Sequence, residues 1–450
     1  MDENKKPAIG MGDRERFPLI KDLSFLMSLR QDEFAPMFNF QSGDRLDEDK
    51  LEQVNQYAAK IRGPKKFWDR GAVPGWLDDY VLACQESVPF YKNRPKSFFD
   101  QPTINRSTVG SAPWQFVSSE SKLEDLLVYQ TSGTTGAAMD VLFDPVSQAC
   151  WLPQLQSILD YYKINLDGRP DNVTIALVCS QSSTLTYASL STYLNGSGVL
   201  KINLNPDDWR NPAHTIQFLE KYNPQILTGD PFAFMDLLAL KPRIKPKAMV
   251  SSAMRLTNGI RKKLEDFFSC PVIDIYSLTE CRMVAFVEND RHRAIRPELY
   301  LEVFDSESDT LLPYGERGEL VITGSINPFL PLIRYRTGDF CRLEIENGIP
   351  FLIDLEARNP VALYRRNGSF INNIEISRQM TNYPLIGFEL HQDSNYNLQF
   401  TGWSNESLQL DIHDTLTQLF GNDCHIEVTI HPPGNLRKMK TVSYSSELIF

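Results

Sequence analysis

The fold is decided by residues 225–276, which read QILTGDPFAFMDLLALKPRIKPKAMVSSAMRLTNGIRKKLEDFFSCPVIDIY. Three short apolar runs of strand length alternate here with two segments of helical periodicity. Thr257 stands where it can cap the second helix. Alternating β and α units predict an α/β fold, with a mainly parallel sheet and helices on both of its faces.

The ends of these three strands carry the polar residues of the stretch. They are followed by Gly229-Asp230-Pro231, by Ser251-Ser252-Ala253 and by Tyr276–Glu280. Ligands of open α/β sheets bind beyond the carboxyl ends of the parallel strands. We therefore expect these three segments to lie on one rim and to form a binding site.

The rest of the chain predicts a larger and a smaller unit. NVTIALVCS and GVLKINLN add two buried strands, and short β segments over about 299–357 predict a β subdomain with a hairpin turn at Asn347-Gly348. Strands and a helix beyond residue 358 predict a small α+β domain. We expect residues 1–357 to form the large N-terminal domain and residues 358–450 the C-terminal one.

Composition restricts the class of protein. The chain has 450 residues, of which 42% are hydrophobic and 23% charged, as in an ordinary globular protein with a sizeable core. A net charge of −11 argues against nucleic acid or an anionic membrane as the main partner. A polar N-terminus, scattered cysteines and the lack of a long apolar run predict a cytoplasmic protein with reduced thiols. The histidines have no metal-binding spacing, and His292 in NDRHRAIR is expected in a solvated loop.

A glycine- and hydroxyl-rich segment, YQTSGTTG at 129–136, follows an apolar run. Gly133 and Gly136 allow positive φ and close approach to a ligand, and neighbouring N–H groups can form an anion-binding nest. Such a loop is suited to phosphate oxygens, although a flexible Ser/Gly linker is the alternative. No Lys follows, so it is not the common nucleotide-binding loop G-x-x-x-x-G-K-[ST].

Two later motifs complete a family pattern. DIYSLTE (274–280) and LPLIRYRTGD (330–339), in this order after the glycine-rich loop, resemble the adenylate-forming acyl-activating enzymes. The resemblance is greatest to the phenylacetate–CoA ligase branch, with its MPLIRYRT-D and DIYGLSE phrases, and Ser277 stands in place of the branch's Gly. PELYLEVFDSESDTLLPYGERGEL (297–320) also follows the branch pattern.

This resemblance implies a reaction and a set of ligands. A carboxylate would attack the α-phosphate of ATP with Mg²⁺, pyrophosphate would leave, and the acyl-adenylate would react with coenzyme A after rotation of a mobile C-terminal domain. The residues that the resemblance assigns to ATP are Thr131, Ser132, Gly133, Thr134, Thr135 and Gly136 for the β- and γ-phosphates, Thr279 for the α-phosphate, Glu280 for the metal, Tyr276 for adenine, Asp339 for ribose, and Ser252 and Arg358 for the nucleotide in general. A core aromatic at Tyr276, a surface charge at Glu280 and a turn aspartate at Asp339 are the structural alternatives.

The acid pocket and the catalytic lysine are assigned by the same resemblance. Tyr187, Ser277 and Leu278 would line the pocket of an acid that the branch suggests is aromatic. The catalytic lysine falls in PPGNLRKMKTV at Lys438, with Lys440 as the alternative.

Three departures from the family pattern keep other functions open. The loop is followed by Asp140 instead of a lysine, Asn359-Pro360 replaces the usual hinge aspartate, and the segment around Lys438 is altered. The acceptor is therefore coenzyme A or, alternatively, a phosphopantetheinyl carrier protein or an amine. A non-catalytic nucleotide-binding homologue is a third reading, and a homodimer is expected by analogy alone.

Replacement of Lys438 tests the assignment of the catalytic lysine. A flexible cation at this position would stabilise the charge that develops between the carboxylate and the α-phosphate. We expect Lys438→Ala to abolish adenylation while leaving ATP binding largely intact, with Lys440→Ala as the matched variant. Unchanged pyrophosphate release by Lys438→Ala would refute the assignment.

Overall fold

The computed structural model describes residues 11–63, 65, 67–130, 139–356, 361–433 and 442–448. Its α-helices are α1 (Asp13–Arg16), α2 (Ser24–Gln31), α3 (Glu48–Arg62), α4 (Leu77–Ser87), α5 (Arg106–Ser111), α6 (Pro145–Ala149), α7 (Trp151–Tyr161), α8 (His214–Tyr222), α9 (Pro231–Leu240), α10 (Asn258–Phe268), α11 (Asn373–Met380) and α12 (Gln409–Phe420). Its strands are β1 (Leu127–Gln130), β2 (Asp140–Phe143), β3 (Val173–Cys179), β4 (Tyr187–Ser191), β5 (Ser197–Asn203), β6 (Ile226–Gly229), β7 (Ala248–Ser251), β8 (Val272–Leu278), β9 (Arg282–Glu288), β10 (Arg291–Ala294), β11 (Tyr300–Phe304), β12 (Arg317–Thr323), β13 (Tyr335–Glu346), β14 (Ile349–Glu356), β15 (Ala362–Tyr364), β16 (Phe370–Asn372), β17 (Gly387–Gln392), β18 (Leu398–Trp403), β19 (Ile426–His431) and β20 (Val442–Ser446).

The elements predicted for residues 225–276 are all present. β6, α9, β7, α10 and β8 follow one another in the predicted order. Thr257 caps α10, because its side-chain oxygen accepts a hydrogen bond from the Ile260 N–H at 3.3 Å. The α/β fold class is confirmed.

Twelve strands of the described residues form one large mixed sheet. Its order is β11-β12-β13-β14-β10-β9-β8-β7-β6-β3-β5-β4. Pairing is parallel only from β5 through β3, β6 and β7 to β8, and it is antiparallel elsewhere. The expectation of a mainly parallel sheet therefore holds for these five strands and is wrong for the sheet as a whole.

The parallel strands are buried on both faces, as their near-continuous apolar sequences require. Leu227 and Met249 pack in one core with α8, α9 and α10. Ile226 and Val250, the adjacent residues, pack in a second core with α7. This alternation has the period of two that β-strands impose, so helices on both faces hold the sheet in place.

The strands between residues 300 and 356 continue the same sheet. β14 pairs with β10, and β9 pairs with β8, so no break separates β11–β14 from the parallel strands. The predicted β subdomain is thus not a sheet of its own. Its hairpin turn is present, with positive φ at both Asn347 and Gly348.

A smaller sheet lies in the C-terminal part of the chain. Its order is β19-β18-β17-β20, and it packs with α11 and α12 around a separate apolar core. It contacts the large part where the Asn258 N–H donates to the Thr381 carbonyl at 2.9 Å and Arg255 donates to the Thr381 hydroxyl at 3.0 Å. A domain boundary at residue 358 stays a prediction, because 357–360 lie outside the described residues.

Within the described ranges, the helices are too short or too polar to cross a bilayer. All seven cysteines are free thiols, and six of them are buried.

Candidate active site

The strand ends of the parallel part form the expected rim. β6, β7 and β8 are neighbours and end at Gly229, Ser251 and Leu278. The Ser252 N–H donates to the Gly229 carbonyl at 3.0 Å, so the predicted nucleotide residue Ser252 lies directly on this rim. The next residue, Ala253, has a φ of 68°. This left-handed conformation is strained for residues other than glycine, and such residues often occur at functional sites.

Glu280 is a buried carboxylate and not a surface charge. It lies in the turn between β8 and β9, and only 6% of it is exposed. The Tyr335 hydroxyl, itself fully buried, donates to Glu280 Oε1 at 2.5 Å. A charged acceptor makes this hydrogen bond a strong one, and the carboxylate is held in one orientation.

Asp339 lies at the end of an irregularity in β13. Val321 pairs with Arg336 and Glu319 with Phe340, so the three residues 337–339 lie opposite Leu320 alone. Gly338 has a φ of 78°, and no atom within 4 Å would meet a Cβ there, so glycine is needed for its backbone conformation and not for space. Bulges of this type redirect side chains beside active sites.

Glu319 holds the bulge in place. Its Oε1 accepts a hydrogen bond from the Gly338 N–H at 2.9 Å, and its Oε2 pairs with Arg336 at 2.7 Å. The preceding Gly318 lets the strands approach, since a Cβ there would lie 2.3 Å from the Phe304 carbonyl oxygen. This role of Glu319 was not predicted from the sequence.

Tyr276 binds Asp339 directly. Its hydroxyl donates to Asp339 Oδ2 at 2.6 Å, and its ring is half-buried. Stacking of this ring on adenine stays a prediction, whereas the contact with Asp339 was not foreseen. Ser277 and Leu278, predicted for the acid pocket, follow on the same strand and are half-buried, as is Thr279.

His292 corrects one expectation. It lies in β10, paired on both sides with β9 and β14, and not in a solvated loop. Its ring meets the ring of Tyr276 edge-to-face, with 6.3 Å between centroids. Burial lowers the pKa of His292 to about 4, so the imidazole is neutral at pH 7 and supplies a polar wall without a charge.

The surroundings of Asp339 raise its pKa. Burial raises the pKa of Asp339 to about 6, the hydrogen bond from Tyr276 opposes that rise, and the nearby charges of Glu280 and Glu319 add to it.

The described residues contain no cluster of three or more metal-binding side chains. Mg²⁺ keeps several waters and takes one or two protein carboxylates, so the oriented carboxylate of Glu280 fits it.

Several predicted residues lie outside the described ranges. They are Thr131, Ser132, Gly133, Thr134, Thr135, Gly136, Arg358, Lys438 and the alternative Lys440. The segments that flank the glycine-rich loop are described, and they form the antiparallel pair β1–β2. Tyr187 is half-buried near the Phe40 ring, at 6.2 Å between centroids.

Arg282 is a residue that the sequence analysis missed. It opens β9, two residues after Glu280, and its guanidinium lies 3.8 Å from the centroid of the Phe143 ring. A lone arginine in an apolar strand gives no distinctive sequence signal. Its place directly after the YSLTE motif was the one available indication.

Comparison with known proteins places this geometry in a family. The family model described as AMP-binding enzyme matches residues 83–327, more than half of the chain. The chain belongs to the AMP-binding enzyme family. The resemblance seen in the three sequence motifs is thereby confirmed.

Relatives of this AMP-binding enzyme include named ligases. A phenylacetate-coenzyme A ligase of Pseudomonas putida is 27% identical over 140 residues, covering 28% of this chain and 32% of the relative. Protein CapK of Staphylococcus aureus is 25% identical over 182 residues, or 39% of each chain. The matches thus span about a third of the length of these curated relatives.

A solved structure supports the fold of this AMP-binding enzyme. The crystal structure of 2-hydroxyisobutyryl-CoA ligase in the postadenylation state, in complex with R3-HIB-AMP, superposes with a TM-score of 0.56. It covers 88% of each chain at 16% sequence identity. At that identity the likeness concerns the architecture alone.

The raised pKa of Asp339 predicts a pH dependence of nucleoside binding. If Asp339 accepts hydrogen bonds from both ribose hydroxyls, its protonation below about pH 6 turns one acceptor oxygen into a donor and removes the negative charge that strengthens the bonds. We expect the Kd for adenosine, which carries no titrating phosphate, to rise about tenfold between pH 7 and pH 5. Calorimetric titration measures the Kd for adenosine at each pH. Asp339→Asn should bind weakly at both pH values, and an equal pH dependence in that variant would contradict the assignment.

Removal of the Tyr335 hydroxyl tests the orientation of Glu280. Tyr335→Phe leaves a buried carboxylate without its donor, which costs about 1–3 kcal/mol of stability. We expect a lower Tm and a higher Mg²⁺ concentration for half-maximal activity. The control is Tyr91→Phe, another fully buried tyrosine, whose hydroxyl bonds backbone atoms of Pro331 and Ile333. A Mg²⁺ requirement changed equally in both variants would show that the effect is one of general stability.

Proposed function

We propose that this protein activates a carboxylic acid with ATP, forming an acyl-adenylate and releasing pyrophosphate. The observation that supports this best is the pair of carboxylates, buried Glu280 and half-buried Asp339, each bonded to a tyrosine hydroxyl. One of them suits a divalent cation and the other suits a diol such as ribose. Both are needed around a single ATP.

Each residue has a defined task in this reaction. Asp339, an acceptor, would take hydrogen bonds from both ribose hydroxyls and fix the nucleoside. Thr279 would donate to the α-phosphate, and Glu280 would hold Mg²⁺, which neutralises phosphate charge when bound. The substrate carboxylate would then attack the α-phosphorus, the bond to the β-phosphate would break, and pyrophosphate would leave. Positioning and charge neutralisation provide most of the rate in such a displacement between anions.

The second half-reaction transfers the acyl group to a thiol. The thiolate of coenzyme A would attack the acyl carbonyl, and AMP would leave. Relatives named phenylacetate-coenzyme A ligase in Pseudomonas putida and Escherichia coli, and 4-chlorobenzoate–CoA ligase in Arthrobacter, support coenzyme A as acceptor and an aromatic acid as substrate. Ser277 and the Asn359-Pro360 replacement at the expected hinge favour, as a second candidate, transfer to a phosphopantetheinyl carrier protein or to an amine.

ATP–pyrophosphate exchange with a panel of carboxylic acids tests the first step. We expect acid-dependent exchange by the wild type and a loss of about a hundredfold or more in Asp339→Asn and in Glu280→Gln. Arg243→Met changes an arginine whose side chain is 89% exposed, and this variant should exchange normally. ATP binding without exchange for any acid would contradict the proposal and favour a non-catalytic nucleotide-binding protein. Thioester formation with free coenzyme A or with a loaded carrier then identifies the acceptor.

A further inference from the structure

Arg282 is a cation that the reaction above does not use. Its Nη2 donates to Gln148 Oε1, and its guanidinium lies over the Phe143 ring and 5.4 Å from the Tyr129 centroid. Its Nε is fully buried and has no hydrogen-bond partner among the described residues. The groups that act most strongly on its charge are Tyr129, Arg296 and Tyr187, none of which is a carboxylate.

Two other arginines of the described residues are buried and pair with carboxylates. Arg296 bonds Glu298 at 2.8 Å, and Arg334 bonds Glu302 at 3.0 Å. A charge removed from water is costly unless an opposite charge or several hydrogen bonds compensate for it.

The backbone at Arg282 is also unfavourable. Its φ is 63°, in the left-handed region that glycine or asparagine adopts more readily. The turn directs its two charged side chains to different neighbours, since Glu280 contacts Tyr335 whereas Arg282 contacts Phe143 and Gln148.

One tyrosine lies beside the guanidinium, which is 5.4 Å from the centroid of the Tyr129 ring. Leu278, one of the residues expected to line the acid pocket, pairs with Arg282 across β8 and β9. Arg282 thus lies in an aromatic and hydroxyl-bearing environment of the kind that surrounds the body of an organic acid.

We propose that Arg282 binds an anionic group of the substrate, and that the substrate is an acid with a second oxyanion besides the carboxylate that is adenylated. This rests on the proposed function. A guanidinium that stacks on an aromatic face leaves its N–H edge free to donate, and it matches a carboxylate with two parallel hydrogen bonds. With an uncharged tail on the acid, the cation would have no carboxylate partner among the described residues, so a dianionic acid is preferred.

Matched substrates test the preference. Benzoate is compared with phthalate, isophthalate and terephthalate in ATP–pyrophosphate exchange, and kcat and KM are measured separately. We expect at least one dicarboxylate to exceed benzoate in kcat/KM by about tenfold or more, mainly through KM. Arg282→Met should remove this preference, and Arg282→Lys should retain part of it.

A second variant keeps Arg282 and gives its guanidinium a carboxylate partner within the protein. Gln148→Glu gives Arg282 a carboxylate partner at the position of its present hydrogen bond, so the preference for dicarboxylates should fall as in Arg282→Met. Calorimetric titration of the acids in the presence of AMP provides a readout that does not require turnover.

Three outcomes would overturn the inference. The first is a preference for benzoate that Arg282→Met leaves unchanged, which would leave the adenylation proposal intact. The second is an equal rise in the Kd for ATP with every acid, which would assign the guanidinium to the phosphates. The third is that neither benzoate nor the dicarboxylates bind in calorimetry. If, in addition, no acid supports exchange, the proposed function is refuted as well.

Discussion

Two reciprocal hydrogen bonds hold the candidate site together. Segment 274–280 supplies Tyr276 and Glu280, and segment 335–339 supplies Tyr335 and Asp339. Each tyrosine donates to the carboxylate of the other segment, at 2.6 Å for Tyr276 and 2.5 Å for Tyr335. The nearby charge of Glu280 helps to raise the pKa of the Asp339 carboxyl. The phenol donors orient both groups without neutralising them, so a ligand can still compete for their charge.

The backbone around Asp339 makes this arrangement possible. A regular strand would send Asp339 to a side fixed by the pleat, whereas the bulge at 337–339 redirects it. Glu319 stabilises the bulge and Gly318 admits the neighbouring strand. The position of Asp339 thus depends on Gly318 and Glu319, about twenty residues earlier in the chain.

The sequence predicted the elements well and their long-range contacts poorly. Apolar periodicity and the cap at Thr257 were sufficient for the strands and helices of 225–276, because those signals are local. The tyrosine–carboxylate bonds join residues 63 and 55 positions apart, and no local pattern encodes them. The charged residues around His292 led to the wrong prediction of a solvated loop. The arginines on either side of His292 form ion pairs with carboxylates of the same sheet, so this charged segment can form a strand.

A crystal structure with a non-hydrolysable acyl-adenylate analogue, an acyl-sulfamoyl adenosine, tests the central claim most directly. We expect both ribose hydroxyls within about 3.2 Å of the Asp339 carboxylate, and the sulfamoyl group near Thr279 and Glu280. An adenosine bound elsewhere, with Tyr276 and Tyr335 still bonded to carboxylates that touch no ligand, would contradict the assignment of this cluster to ATP.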